Sequence, residues 1–158
     1  ESLELAEKHG RRSISDIRSV VQLLRSGDQQ SLGAIPAVSD IPTLVDDLRK
    51  AGADIVFTEP ADSPDLSAGS ALTLYRVVQE GLTNAVRHGT GSIELRIAYG
   101  SDFVTVHITN AIRTAVSHVR EGTGLTGMRD RVRAVGGTLD IHVNEAQRRW
   151  TLDAWIPA

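Results

Sequence analysis

The chain has 158 residues, 41% hydrophobic and 23% charged, an ordinary globular composition, and no run of about 18 apolar residues that would span a membrane. Its formal net charge of −3 gives no electrostatic reason to expect nucleic-acid binding. Lack of cysteine excludes disulfides and thiolate zinc sites and fits a cytoplasmic chain.

One domain with an appended element is the expectation for this length. The chain opens abruptly on Glu1 without a leader pattern, as a piece of a longer protein would, which leaves room for a membrane segment upstream. Residues 2–25 read as one long helix. Ile14, Ile17, Val21 and Leu24 alternate steps of three and four, the narrow seam of a helical bundle or coiled coil. Ser26-Gly27-Asp28 stops it, and residues 27–38, rich in Gly, Ser, Pro and Gln, read as a linker.

A composite domain follows over residues 39–158. Ser39 or Asp40 is an N-cap candidate for a helix that Gly52 ends, and "ADIVFTE" is a short strand. A helix from about Ser67 to His88 is the longest of the domain; Ala71, Tyr75, Val78, Leu82 and Ala85 form the stripe expected to cover a sheet. Ile93 to Tyr99 and Val104 to Ile108 alternate around a Gly100-Ser101-Asp102 turn, which predicts a hairpin. Residues 110–123 read as a long loop, and a helix is expected from about Leu125 to Val135, ended by Gly136-Gly137. Leu139, Ile141 and Val143, then Trp150, Leu152, Ala154 and Ile156, give two closing strands. The predicted class is α+β: a two-layer sandwich of a mixed, largely antiparallel sheet with helices on one face, preceded by one long helix.

Two features stand out. In "EGLTNAVRHG", Glu80, Asn84 and His88 recur every four residues on a side roughly opposite the sheet-covering stripe. By itself a solvated helix face is the readier explanation, since polar residues belong on an exposed face anyway; a ligand site is the sharper alternative. In "GTGLTGMRDRV", Gly122, Gly124 and Gly127 precede and open a helix. Glycines let backbone approach a phosphate, and a helix N-terminus offers free N–H groups to an anion. A flexible loop feeding a helix is the plain alternative.

In combination, "LYRVVQEGLTNAVRHG", a hairpin, "GTGLTGMRDRVRAVGGTL" and a terminal strand ending in "WIP" resemble the ATP-binding catalytic domain of bacterial sensor histidine kinases, of NarL/DesK type. "RRSISDIRSVVQLLR" is similar to the second helix of that subfamily's dimerisation and phosphotransfer bundle, assigned to residues 1–26. The resemblance implies a GHKL (Bergerat) ATP fold with ATP and magnesium as cofactors. It implies that Asn84 holds magnesium against the ATP phosphates, and that Glu80 positions or deprotonates the phosphoacceptor. Arg87 and His88 would lie near the phosphates. Gly122, Thr123, Gly124, Leu125, Gly127 and Met128 would bind the ATP together with Asn84, Arg87, His88 and Asn110, and residues 111–123 would be an ATP lid, expected to be mobile without nucleotide and ordered by phosphate contacts. Asn110 stands where the family has its adenine-binding Asp, and Arg149-Trp150 replace a Gly-Thr pair. An Asn oxygen still accepts from an adenine amino group, but without charge assistance.

His107 and His142 are expected on a solvated strand face, and His9 lacks the acid that follows a phosphoacceptor in this subfamily. The implied function is transfer of the ATP γ-phosphoryl group to a histidine outside this chain, and so to a response regulator, in a kinase that is a homodimer when intact. Neither nucleic acid nor a membrane is an expected partner of these residues. The alternative is a degenerate nucleotide-binding, dimerising signalling module with little kinase activity. An ATPase or Ser kinase on the same fold is a third reading.

Overall fold

The structure is a computed structural model, and it describes residues 35–62, 64–112 and 123–158. The expected long helix over 2–25, His9, His118, Gly122 and most of the expected lid lie outside the described residues.

Residues Val38–Asp40 form a single 3-10 turn, followed by α1 (Ile41–Lys50) and β1 (Ile55–Thr58). Then come α2 (Ala68–His88), β2 (Gly89–Tyr99), β3 (Phe103–Ile112), α3 (Thr123–Ala134), β4 (Thr138–Asn144) and β5 (Arg149–Pro157). Among the described residues, five strands form one sheet in the order β1-β2-β3-β5-β4. Of these strands, only β1 and β2 pair in parallel. A parallel pair needs a crossover, which α2 supplies.

Register explains the core. Ile93, Asn110 and Trp150 align across β2, β3 and β5; so do Leu95, Ile108 and Leu152, and Ile97, Val106 and Ala154. All nine are buried. Alternation places Glu94, Arg96, His107, Thr151 and Asp153 on the other face. There His107 Nδ1 meets Asp153 Oδ1 at 2.7 Å, a partly exposed cross-strand pair on the solvated side the sequence assigned to His107.

Local chemistry sets the helix ends. Asp40 is the N-cap of α1, but its carboxylate turns back to accept from the Ala37 N–H at 2.8 Å and does not cap the helix. Gly52, at φ 100°, closes α1. Its N–H donates to the Arg49 carbonyl and that of Ala53 to the Leu48 carbonyl, a Schellman pair. Gly136 and Gly137 end α3 the same way on Arg133 and Val132. Ser67 Oγ caps α2 by accepting from the Ser70 N–H.

Two expectations need correction. The buried residues of α2 are Ser70, Thr73, Leu74, Val77, Val78, Gly81, Leu82, Thr83 and Ala85, and all but Thr83 fall on one arc; Ala71 and Tyr75 are only half-buried. The apolar arc is therefore rotated from the predicted one, and Gly81 is part of it because its missing side chain admits Ile108. A Cβ there would come 2.5 Å from Ile108 Cδ1. The expected loop over 110–123 is also shorter at both ends. β3 runs on through Ala111 and Ile112, paired with β2 and β5, and α3 starts at Thr123, two residues before the predicted Leu125.

Candidate functional site

Rotating the apolar arc moves the polar stripe with it. Val77, Gly81, Asn84 and His88 follow one another by four, three and four residues and so share one stripe. Glu80 and Asn84 thus flank the buried face and do not stand opposite it. Both are half-buried, whereas Arg87 and His88 are exposed. The three residues of the stripe are not equivalent.

Glu80 lies under the first turn of α3, where a Cβ on Gly124 would overlap its Oε1. The glycine segment and the stripe, forty residues apart in sequence, are therefore brought together. Asn84 buries its Nδ2 without a hydrogen-bond partner among the described residues. A buried amide left unpaired costs about 1–3 kcal/mol, so its presence needs a reason such as a ligand. At His88, partial desolvation and then the neighbouring Arg87 charge lower the imidazole pKa from its ordinary 6.5.

Asn110 comes to the same end of α2 from the sheet. It is 2% exposed, and its Nδ2 donates to the Ala85 carbonyl at 3.2 Å. That bond orients the amide, and it leaves Oδ1 buried with no partner among the described residues. An isolated acceptor in this setting calls for a donor from elsewhere. Trp150, 7% exposed, sits beside Asn110 in register. Its carbonyl accepts from Thr109 Oγ1 at 2.9 Å.

Sequence reasoning missed Gly89. The chain passes from α2 straight into β2 at this residue, in extended backbone. A Cβ would overlap Asn110 Nδ2 and come 2.5 Å from the Ala85 oxygen. Gly89 is small so that Asn110 can seat, and only the helix-ending position of a glycine hinted at it. Leu125 and Met128, grouped with the nucleotide contacts from sequence, are buried and belong to the core. Gly127 opens onto free space: a Cβ there would have nothing within 4 Å among the described residues. Thr123 is the first residue of α3. No cluster of three or more His, Asp or Glu side chains able to hold a metal occurs among the described residues. A metal here would rest on an amide such as Asn84 and on ligands it arrives with.

The fold is shared with histidine-kinase catalytic domains. No family model matches the chain. Over 90 residues it is 38% identical to the signal transduction histidine-protein kinase/phosphatase UhpB of Salmonella typhimurium, covering 55% of this chain and 18% of that protein. It is 31% identical to the sensor histidine kinase YxjM of Bacillus subtilis over 137 residues, 82% of this chain and 31% of that one. The sensor histidine kinase LnrJ of the same organism is 27% identical over 156 residues, 98% of this chain and 37% of that one. Among solved structures, the histidine kinase domain of the Erythrobacter litoralis EL346 blue-light activated histidine kinase matches with a TM-score of 0.62 at 19% identity, over 99% of this chain and 84% of that one. The catalytic domain of histidine kinase ThkA, in a nucleotide-free form, matches at 0.56 and 17%, over 76% and 90%.

The chain is thus a homologue of the sensor histidine kinases. It spans less than two fifths of the length of the curated relatives it matches. No helix among the described residues is long and apolar enough to cross a membrane.

Proposed function

We propose that this chain is the ATP-binding catalytic part of a NarL/DesK-type sensor histidine kinase. Residues 1–26 would be the second bundle helix, 27–38 the linker and 39–158 the catalytic domain. The observation that carries the reading is the buried Oδ1 of Asn110, which has no partner among the described residues. With its Nδ2 held by the Ala85 carbonyl, that oxygen would be the acceptor for the 6-amino group of adenine.

The phosphates would then run along the end of α2 toward the first turn of α3. Asn84, whose Nδ2 has no partner among the described residues, fits an incoming magnesium–phosphate group, its amide oxygen being a hard ligand. When bound, the ion supplies charge neutralisation on the phosphate oxygens. Glu80 receives the proton of the acceptor imidazole as its nitrogen attacks the γ-phosphorus and the bond to the ADP oxygen breaks. Positioning and charge compensation carry most of such a transfer. Arg87 and His88, exposed at the end of α2, would lie toward the phosphates. The acceptor histidine lies outside this chain, and a response regulator aspartate takes the group next. The setting is cytoplasmic, in a kinase that acts as a homodimer.

The test is magnesium-dependent binding of a non-hydrolysable ATP analogue to this chain and to Asn84→Ala. Binding by the parent and a loss of about tenfold or more in the variant is expected. Binding by neither protein would sink the reading. A second reading, a degenerate signalling module, is supported by Asn110 itself, because an uncharged acceptor holds adenine less strongly than a carboxylate.

A further inference from the structure

The motif glycines Gly124 and Gly127 look alike in sequence, and phosphate approach would explain both. The structure separates them. Both lie within α3, and neither has a positive φ, so neither needs glycine for its backbone conformation. Glycine is the poorest helix former after proline, so each position carries a cost that needs a reason. At Gly127 a Cβ would meet nothing within 4 Å among the described residues. At Gly124 it would overlap Glu80 Oε1, lie 3.0 Å from Glu80 Cδ and 3.8 Å from Cγ. Glu80 Oε1 therefore occupies the place that a side chain at 124 would take, with Cδ close beside it and Cγ at ordinary contact distance.

We propose that Gly124 is a positioning residue for Glu80: its bare backbone lets the first turn of α3 close over the carboxylate and hold it in one orientation. The proposal rests on the reading of Glu80 as the proton acceptor. It gives the glycine segment a second role besides admitting phosphate. A side chain fixed by packing loses less orientation when it reacts than a free one, which is the advantage of such a contact.

Thermal melting in a double-mutant cycle tests the contact without any nucleotide, so its result stands apart from that of the ATP-site reading. Gly124→Ala should lower the melting temperature of the parent. In a Glu80→Ala background the same change should raise it, as an ordinary Gly→Ala replacement in a helix does. Gly127→Ala should raise it in both backgrounds. Gly124→Ala with the same sign and size in both backgrounds, or loss of folding in both, would overturn the proposal. In the kinase carrying its phosphoacceptor segment, Gly124→Ala should lower kcat about tenfold or more with KM for ATP within about threefold. A raised KM at unchanged kcat would assign the glycine to phosphate approach and overturn the proposal as well.

Discussion

Replacing Asn110 with aspartate restores the residue expected from the histidine-kinase resemblance, yet in this chain it should weaken the protein. Asn110 is 2% exposed, and its Nδ2 donates to the Ala85 carbonyl at 3.2 Å. The substitution removes that hydrogen bond, worth about 1 kcal/mol, and sets a carboxylate oxygen against a carbonyl oxygen. The Ala85 oxygen keeps the Gly89 N–H as a partner, so the loss falls on the new side chain. An uncompensated buried charge costs several kcal/mol, reduced by protonation and relaxation, so a net loss of about 2–4 kcal/mol at neutral pH follows. For a domain of this size that is roughly 4–16 °C in Tm. The sign with pH is defined. Burial raises the folded carboxyl pKa above its unfolded value, so the deficit is small below the unfolded pKa and grows as pH rises through the folded one. Urea unfolding of both proteins at about pH 5 and about pH 7.5 measures it. An adenine nucleotide, donating its amino group to the carboxylate, should narrow the gap. A variant as stable as the parent at neutral pH, or a deficit indifferent to pH, would refute the reasoning.

Gly81→Ala brings a Cβ to 2.5 Å from Ile108 Cδ1 and should cost about 1–2 kcal/mol; adding Ile108→Val, which deletes that methyl, should recover most of it in chemical denaturation. Leu82→Ala, at the fully buried centre of α2, should cost about 2–5 kcal/mol in the same assay. His88 should titrate below 6.5 by NMR, and Arg87→Gln should move it back up; an unchanged titration would exclude the Arg87 charge as a cause. Because the folded pKa is depressed, the stability tied to His88 is present above pH 6.5 and is lost as pH falls through the folded pKa. Arg49 donates through Nε and Nη2 to the Ile55 carbonyl at 3.1 and 2.9 Å, covering the start of edge strand β1. Arg49→Ala should cost about 1 kcal/mol, and Arg49→Lys should recover only part of it, because one ammonium cannot reproduce the fork.

Strands of strict alternation and helices ended by glycine were legible in the sequence because both depend on local periodicity and on single-residue backbone preferences. The hairpin at Gly100-Ser101-Asp102, the stops at Gly52 and at Gly136-Gly137, and the alternating faces of β2 to β5 all follow from near neighbours. The family resemblance also pointed to Asn84, Glu80 and Asn110 from their spacing within recognisable motifs. Tertiary structure decided the rest. A helix wheel cannot tell which arc of α2 is covered when Gly81 and Ser70, poor in hydrophobicity, are buried and Tyr75 is not. No local signal says that Asn110 bonds to a carbonyl 25 residues away, that Gly89 is bare for its sake, or that Gly124 makes room for Glu80. Such requirements arise where two chain segments compete for the same few cubic ångströms, and a linear sequence records the residue that satisfies them without recording its partner.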